Sequence, residues 1–438
     1  MSEEDDKPNR QVESVRLNIG EEVMDQGGKN AWVALRELGK GAFGTVYHVV
    51  NKNTKQEAAL KIERITAGDN LLKIEREIML AMQPEATAIH IFDDGIYNDF
   101  RFIVMTLCGP DLQKIADLMN NTFRPETIIR VCIRTLLAIK HLHEYEYVHR
   151  DLKPCNFAVD FNPNSLHIYL FDYGMARKYA KMENGKWFLR RPRETAQFRG
   201  TARYCSLNSH KRKELGRIDD VWSWFYMMME MHKPLPWSAT TNQDKIEAWK
   251  EEHLLNYLSK DPFLSKLLAV HKILHHDYSL RPEYNEIYDL LLGILKDVNG
   301  KLSGPMEYDS ARINALVAEL GESARPKEIS RMEDETAIAN YLSAQFHKKV
   351  VPGGGELILP DLVNFFGIIE PKKAKEEKTD ENKKHHHHRL SSANIKNKML
   401  GKPKQPASGT GKKDGHSSTI NSRVSLQKTK IKSKGLKK

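Results

Sequence analysis

Apolar positions are dense along this chain from Trp32 to about Val298 and nearly vanish after Pro371. Inside the dense part, spacing predicts particular elements. Thr45 to Val50 is a β-branched, strand-like run, Asn51-Lys52-Asn53-Thr54 is turn material, and Ala58 to Ile62 reads as a second strand. In "LLKIEREIML", Leu72, Glu75, Ile78 and Met79 recur on one helical face. "VWSWFYMMMEM", just after Asp220, is apolar almost all round. That pattern predicts a helix buried in the middle of a lobe, its Met and Trp residues serving as core. Farther on, Ile313, Leu316, Val317 and Leu320 share a face after Ser310, a capping residue, and "VPGGGELILP" ends any helix. The chain therefore divides into an acidic flexible N-terminus (1–26), a globular body (27–298), a partly helical extension (299–370) and a basic disordered tail (371–438).

Charge sharpens that division. The net +10 of the whole chain is misleading, because residues 371–438 hold 20 of its 68 Lys+Arg and 5 of its 58 Asp+Glu. The remainder, with 48 basic and 53 acidic residues, is mildly acidic. The tail has no aromatic residues for base stacking, so nucleic acid is an allowed but not favoured partner; an electrostatic tether to some acidic partner competes with a plain solvated extension. The run His385 to His388 lacks partner ligands and reads as part of the same polar tract. No apolar run reaches the roughly 18 residues of a transmembrane segment, and the acidic start is unlike a secretory signal. Cys108, Cys132, Cys155 and Cys205 are scattered without CxxC spacing. A reducing compartment, cytoplasmic and/or nuclear, is the expectation.

Candidate chemistry begins at "ELGKGAFGTVYHVV". Gly39, Gly41 and Gly44 have GxGxxG spacing, which a dinucleotide fold also uses, but here a strand follows instead of a helix. Glycines between two strands make a hairpin lid whose backbone can approach phosphates, or else a flexible hairpin with no ligand. Lys61 lies inside an apolar strand, where its ammonium needs an anion. Glu75 on the inward helix face can pair with it; unit charges 4 Å apart at intermediate dielectric interact by roughly 4 kcal/mol before desolvation. The competing reading is a snorkelling surface lysine beside an unrelated glutamate. In "YVHRDLKPCNFAVDFNPNSLHIYLFDYGMAR", Asp151, Lys153, Asn156 and Asp172 supply a carboxylate to aim a hydroxyl, a cation to neutralise a moving phosphoryl, and two oxygen ligands for Mg²⁺.

Taken in order, "GKGAFGTV", "AALK", "HRDLKPCN" and "DYG" resemble the protein kinase signature set. The resemblance covers roughly residues 30 to 298. It implies an α+β, bilobal kinase fold, with a β-rich N-lobe (about 27–105) and a larger helical C-lobe (about 109–298), and ATP and Mg²⁺ as cofactors. It implies a serine/threonine kinase, since Lys153 follows Asp151 by two residues. The finer likeness is to the casein kinase 1 group, from "LCGPDL" and "GTARYCSLN". Within that group "NFAV", "FRGTARY", "HKRKELGRIDDVWSWFY" and "LPW" are similar to tau-tubulin kinases. By that likeness Asp151, Lys153, Lys61 and Glu75 are catalytic, and Asn156 and Asp172 hold metal. Gly39, Lys40, Gly41, Ala42, Phe43, Gly44, Val46, Ala59, Lys61, Met105, Thr106 and Cys108 would surround ATP, the last two through backbone groups. Asp220 would brace the catalytic loop. Arg203 matches the group's anion-binding arginine, and the basic run from Arg177 to Arg217 predicts acidic or already phosphorylated protein substrates, possibly cytoskeletal. Arg281 pairs in other kinases with a glutamate that this chain lacks. Tyr173 stands where many kinases have Phe; it keeps the ring, beside Met79, and adds a hydroxyl that needs a partner. A catalytically weak pseudokinase or scaffold that binds partners through its lobes and basic tail is the alternative.

Overall fold

The structure is a computed structural model that describes residues 16–347, apart from 25–27, 29, 42–43, 66–70, 86, 161–166, 184–185, 305 and 307–333. Residues 1–15 of the acidic start, the helix expected after Ser310, the basic tail and the ligand candidates Ala42 and Phe43 lie outside the described residues; of the 1–26 stretch expected to be flexible, Leu17 and Val23 are buried and Glu22–Met24 form a strand.

Residues 22–105 hold a six-stranded antiparallel sheet in the order β1-β2-β3-β4-β6-β5: β1 (Glu22–Met24), β2 (Ala31–Gly41), β3 (Gly44–Asn51), β4 (Glu57–Arg64), β5 (Ile91–Tyr97) and β6 (Phe100–Met105). Both strands expected around Asn51–Thr54 form, each slightly longer than the apolar pattern indicates. Alternation along β4 sorts its residues between two cores. Ala58, Leu60 and Ile62 pack with Tyr47, Val49, Phe102 and Val104 on one side. Ala59 faces the other way, into the main core with Ile103, Val46 and Met105. Pairing of Val46 with Lys61, Lys61 with Ile103, and Ala59 with Met105 puts these five on one face of the sheet.

Helix α1 (Leu71–Met82) crosses that side of the sheet and buries Leu72, Glu75, Ile78, Met79 and Met82. The rest is mostly helical: α2 (Leu112–Leu118), α3 (Pro125–Glu144), α4 (Leu207–His210), α5 (Arg217–His232), α6 (Gln243–Glu252), α7 (Leu254–Ser259), α8 (Leu268–Ile273), α9 (Tyr284–Asp297) and α10 (Glu335–His347). Helix α5 starts at Arg217, three residues ahead of Asp220, and is buried along nearly its whole length, as its all-round apolar pattern requires. It packs on α3, which in turn packs on α9.

Three short antiparallel pairs lie between α3 and α4. Strand β7 (Tyr147–Val148) pairs with β10 (Arg177–Lys178), β8 (Phe157–Val159) with β9 (Ile168–Leu170), and β11 (Ala180–Glu183) with β12 (Lys186–Leu189). The chain from His149 to Asn156 is thus strung between β7 and β8, and Asp172 follows β9 by two residues.

Candidate active site

Strand β4 and helix α1 converge on one ion pair. The Lys61 ammonium lies 2.6 and 2.7 Å from the two Glu75 oxygens and 3.7 Å from Asp172 Oδ1. Burial alone would lower the lysine pKa; the two carboxylates outweigh that and hold it above the ordinary value. Glu75 is 2% exposed, so its charge is tolerated in the core through this contact. Gly174 sits against the same group, since a Cβ there would stand 3.3 Å from Glu75 Oε1.

The loop after β7 is fixed from below by Asp220 on α5. Its Oδ2 accepts from the backbone N–H of His149 (2.6 Å) and meets His143 Nε2 (2.8 Å), while Oδ1 accepts from the N–H of Arg150 (2.8 Å). Arg150 itself has a left-handed backbone (φ 69°) and donates from Nε to the Met175 carbonyl. Within this frame both oxygens of Asp151 are aimed: Oδ2 accepts from Lys153 Nζ (2.7 Å) and Oδ1 from Thr201 Oγ1 (2.8 Å). Burial would lower the Lys153 pKa, but Asp151, with Asp172 farther off, raises it.

Asn156 Nδ2 donates to the Asp151 carbonyl at 2.8 Å, which leaves the amide oxygen as its remaining strong acceptor. Its own carbonyl accepts from Phe171 N–H at 3.1 Å, so the β8–β9 hairpin brings Asn156 and Asp172 to the same end of the site. Asp172 is held at φ 64°, ψ 63°, a left-handed conformation costly for a residue with a Cβ, and its side chain is 42% exposed. Asp151, Lys153, Lys61, Glu75, Asn156 and Asp172 therefore form one connected constellation.

Next to it, Val46, Ala59 and Met105 lie on the same face of the sheet as Lys61, against the main core. The segment after β6 offers two backbone groups. The Thr106 N–H is spent on the His90 carbonyl (2.9 Å), so Thr106 presents its C=O; the Cys108 N–H meets no acceptor among the described residues. Burial pushes the Cys108 thiol pKa far up, which favours the protonated thiol. The three glycines have different reasons to be glycine. A Cβ at Gly39 would meet nothing within 4 Å among the described residues, whereas at Gly44 it would stand 2.1 Å from the Ile62 carbonyl. Gly44 is a close-packing requirement of the β3–β4 pair; Gly39 faces open space. Lys40 is exposed on β2, and Gly41 pairs with Gly44 at the hairpin end.

Arg203 lies outside this constellation, in a cleft of about 350 Å³ lined by Lys153, Cys155, Thr201, Arg203, Thr240 and Ile246 among others. It is not a bare cation: its guanidinium pairs with Glu230 at 3.2 Å and donates to the Ser238 carbonyl at 3.3 Å. Tyr204 OH also bonds Glu230. Among the other basic residues of the segment, Arg177 and Arg193 pair with Glu214. Arg150 is pulled down to about 10 by burial and by Arg177 and Arg199 beside it, which marks a local positive surplus.

Several contributors escape sequence reasoning. Lys250 on α6 is buried, and its ammonium donates to the carbonyls of Ala202 (2.8 Å) and Cys205 (2.7 Å), bracketing Arg203 and Tyr204. It lies over the rings of Tyr226 and Trp237, at 4.8 and 5.4 Å. The signal was its place four residues after Ile246, on that residue's helix face. Thr201 is legible only as part of "GTARY". Arg281 stacks over Tyr284 and takes Glu144, at the end of α3, as its partner (3.5 Å), a residue 137 positions away that no local pattern records.

Comparison with known proteins follows the same outline. The sequence model of the protein kinase domain matches residues 32–301. The chain is 31% identical to a probable serine/threonine-protein kinase of Dictyostelium discoideum, over 64% of this chain and 57% of that protein, so just over half the relative is spanned. It is 33% identical to a putative serine/threonine-protein kinase of Caenorhabditis elegans, over 67% of this chain and 86% of that one. It is 29% identical to the serine/threonine-protein kinase spe-6 of Caenorhabditis elegans, over 69% and 82% of the respective chains.

Proposed function

The chain belongs to the protein kinase family, and from that premise we propose that it transfers the ATP γ-phosphoryl group to serine and threonine hydroxyls of proteins through the Asp151 constellation. The observation that carries this reading is the half-buried Lys61 ammonium, clamped by Glu75 and 3.7 Å from Asp172. Such a cation is placed for phosphate oxygens and has no comparable use in holding the sheet together.

The residues fit the cofactors. Asn156 Oδ1 and the exposed Asp172 carboxylate are hard oxygen donors suited to Mg²⁺. Bound with ATP, the metal supplies charge neutralisation at the phosphates. Lys61 binds and orients phosphate oxygens, Glu75 keeping its ammonium in place. The Thr106 carbonyl and the Cys108 N–H bind the adenine edge, between Val46, Ala59 and Met105. Gly39, Lys40 and Gly41 bring the hairpin backbone over the phosphates. Asp151 accepts the substrate hydroxyl's hydrogen bond and takes its proton, and Lys153 holds positive charge beside the oxygen that attacks. Base assistance of this kind contributes roughly 10²–10⁴-fold.

The subtype reading is a casein kinase 1-like enzyme nearest tau-tubulin kinases, supported by "LCGPDL" and "GTARYCSLN". Acidic or phosphorylated substrates are supported by the Arg150–Arg177–Arg199 surplus and by Arg203 in the adjoining cleft, where a substrate anion must compete with Glu230. The competing reading, a partner-binding pseudokinase, rests on Tyr173. Phosphate transfer to casein from labelled ATP, run beside Asp151→Asn, separates the two. The enzyme reading requires transfer at least about 100-fold above that variant; equal, residual transfer by both proteins, with ATP still raising thermal stability, would leave the pseudokinase.

A further inference from the structure

Helix α10 begins 34 residues beyond the end of the match to the kinase domain, yet it is built into the molecule. Ile338, Tyr341, Leu342 and Phe346 join the main core. Glu335 accepts from the backbone N–H groups of Leu302 (2.8 Å) and Ser303 (2.7 Å), the Phe346 ring stacks on Tyr288 with centroids 4.5 Å apart, and His347 pairs with Asp289 at 3.0 Å. These contacts hold α10 on α9 and the segment after it.

The other side of α10 reaches a different structure. Gln345 is buried on α10 and interacts electrostatically with the buried His141 imidazole of α3. That ring bonds Thr87 Oγ1 through Nδ1 (2.8 Å) and has Glu85 Oε2 3.5 Å from Nε2, an atom with no aligned hydrogen bond of its own. Tyr145 OH also donates to Glu85 (3.1 Å). Glu85 and Thr87 belong to the connection between α1 and β5, which ties two parts of the candidate active site together. Its Gln83 side chain donates to the carbonyls of Met79, in the last turn of α1, and Ile89; His90 exchanges hydrogen bonds with Thr106. A continuous set of contacts thus runs from α10 through His141 to the helix that carries Glu75 and to the strand end that carries Thr106.

We propose that α10 is a positioning element for phosphate transfer: docked, it immobilises the 83–90 connection and thereby the Glu75–Lys61 pair. Gln345 and Phe346 are its positioning residues, acting through His141 and Tyr288 and touching no reactant. Such a helix on a separate segment gives the enzyme an intramolecular element whose release would lower activity without altering a catalytic group.

The test uses the full chain. In Phe346→Ala, amide hydrogen exchange is expected to rise about tenfold within 335–347 and also within 83–90 and the last turns of α1, while α5 keeps its protection. The turnover number is expected to fall about three- to tenfold with KM for the protein substrate unchanged, because the substrate cleft is untouched. Gln345→Ala, which keeps the apolar contacts, should give the same pattern in 83–90 and a smaller one in 335–347; it carries the test if Phe346→Ala does not fold. Exchange confined to 335–347 in both variants, or a change in KM without a change in turnover, overturns the proposal. The kinetic arm rests on the kinase reading. The exchange arm does not, so a chain that transfers no phosphate would sink that reading and still decide this one.

Discussion

Tyr173 shows how far a single ring can be read from its environment. It is fully buried, and its hydroxyl donates to the Leu170 carbonyl at 2.8 Å, so the polar group it adds is already satisfied within its own hairpin. Neither oxygen of Asp151 nor Glu75 depends on it. Replacing it by Phe removes one neutral hydrogen bond, a loss of about 1 kcal/mol. For Tyr173→Phe the expected result is a melting point lower by about 2–4 °C with phosphate transfer within about threefold of the parent. A transfer rate down a hundredfold would show that the hydroxyl governs the active arrangement. The need for a partner was legible in the sequence; its identity was not, because a carbonyl three residues back becomes available only once the turn Tyr173–Met175 closes.

At the scale of elements, periodicity did most of the work. The β3–β4 pair, the apolar face of α1 and the all-round burial of α5 follow from patterns visible within single segments. What the pattern misses is charge buried on an otherwise polar helix, and α6 is the example. Lys250 meets two backbone carbonyls and the His210 imidazole but no carboxylate, and burial pulls its pKa from 10.5 down to about 8. Its folded value lies below its unfolded one, so between about pH 8 and 10.5 the unfolded chain binds the extra proton and stability from this group rises with pH. Below about pH 8 both states are protonated and the penalty is constant. In Lys250→Met that alkaline rise, on the order of 2–3 kcal/mol, should disappear from denaturant melts taken between pH 7.5 and 10. The variant should also lose stability at pH 7, since the carbonyls of Ala202 and Cys205 are left without their donor, and KM for protein substrates should rise as the 201–205 segment loosens. A flat pH profile in the parent would remove Lys250 from this account.

Across the whole molecule, fold and charge divide the chain differently. Residues 1–370 taken together are slightly acidic, and the basic excess of the chain belongs to residues 371–438. Adsorption of the full chain to an anionic polymer should therefore weaken steeply between 50 and 200 mM salt, as counterion release demands, and a chain ending at Glu370 should adsorb little at either concentration. Equal binding by both chains would place the anion-seeking surface on the body, at the Arg150–Arg177–Arg199 surplus. Ordered motifs made the α+β architecture legible and singled out the residues that the structure brings together around Asp151, because kinase chemistry compresses its donors into short runs. The partners of Arg203 and Arg281 lie 27 and 137 residues away, and neighbours set by tertiary packing leave no such trace.

Asp172 sits in a left-handed backbone conformation next to a second carboxylate that shares its lysine. Both circumstances cost free energy that a glycine at this position would recover, at roughly 1 kcal/mol for the backbone alone. Asp172→Gly should thus melt no lower than the parent while losing transfer altogether, as paired calorimetry and activity assays would show. Heat resistance and reactivity pull in opposite directions at this one residue, so selection for a sturdier protein alone would erase the aspartate.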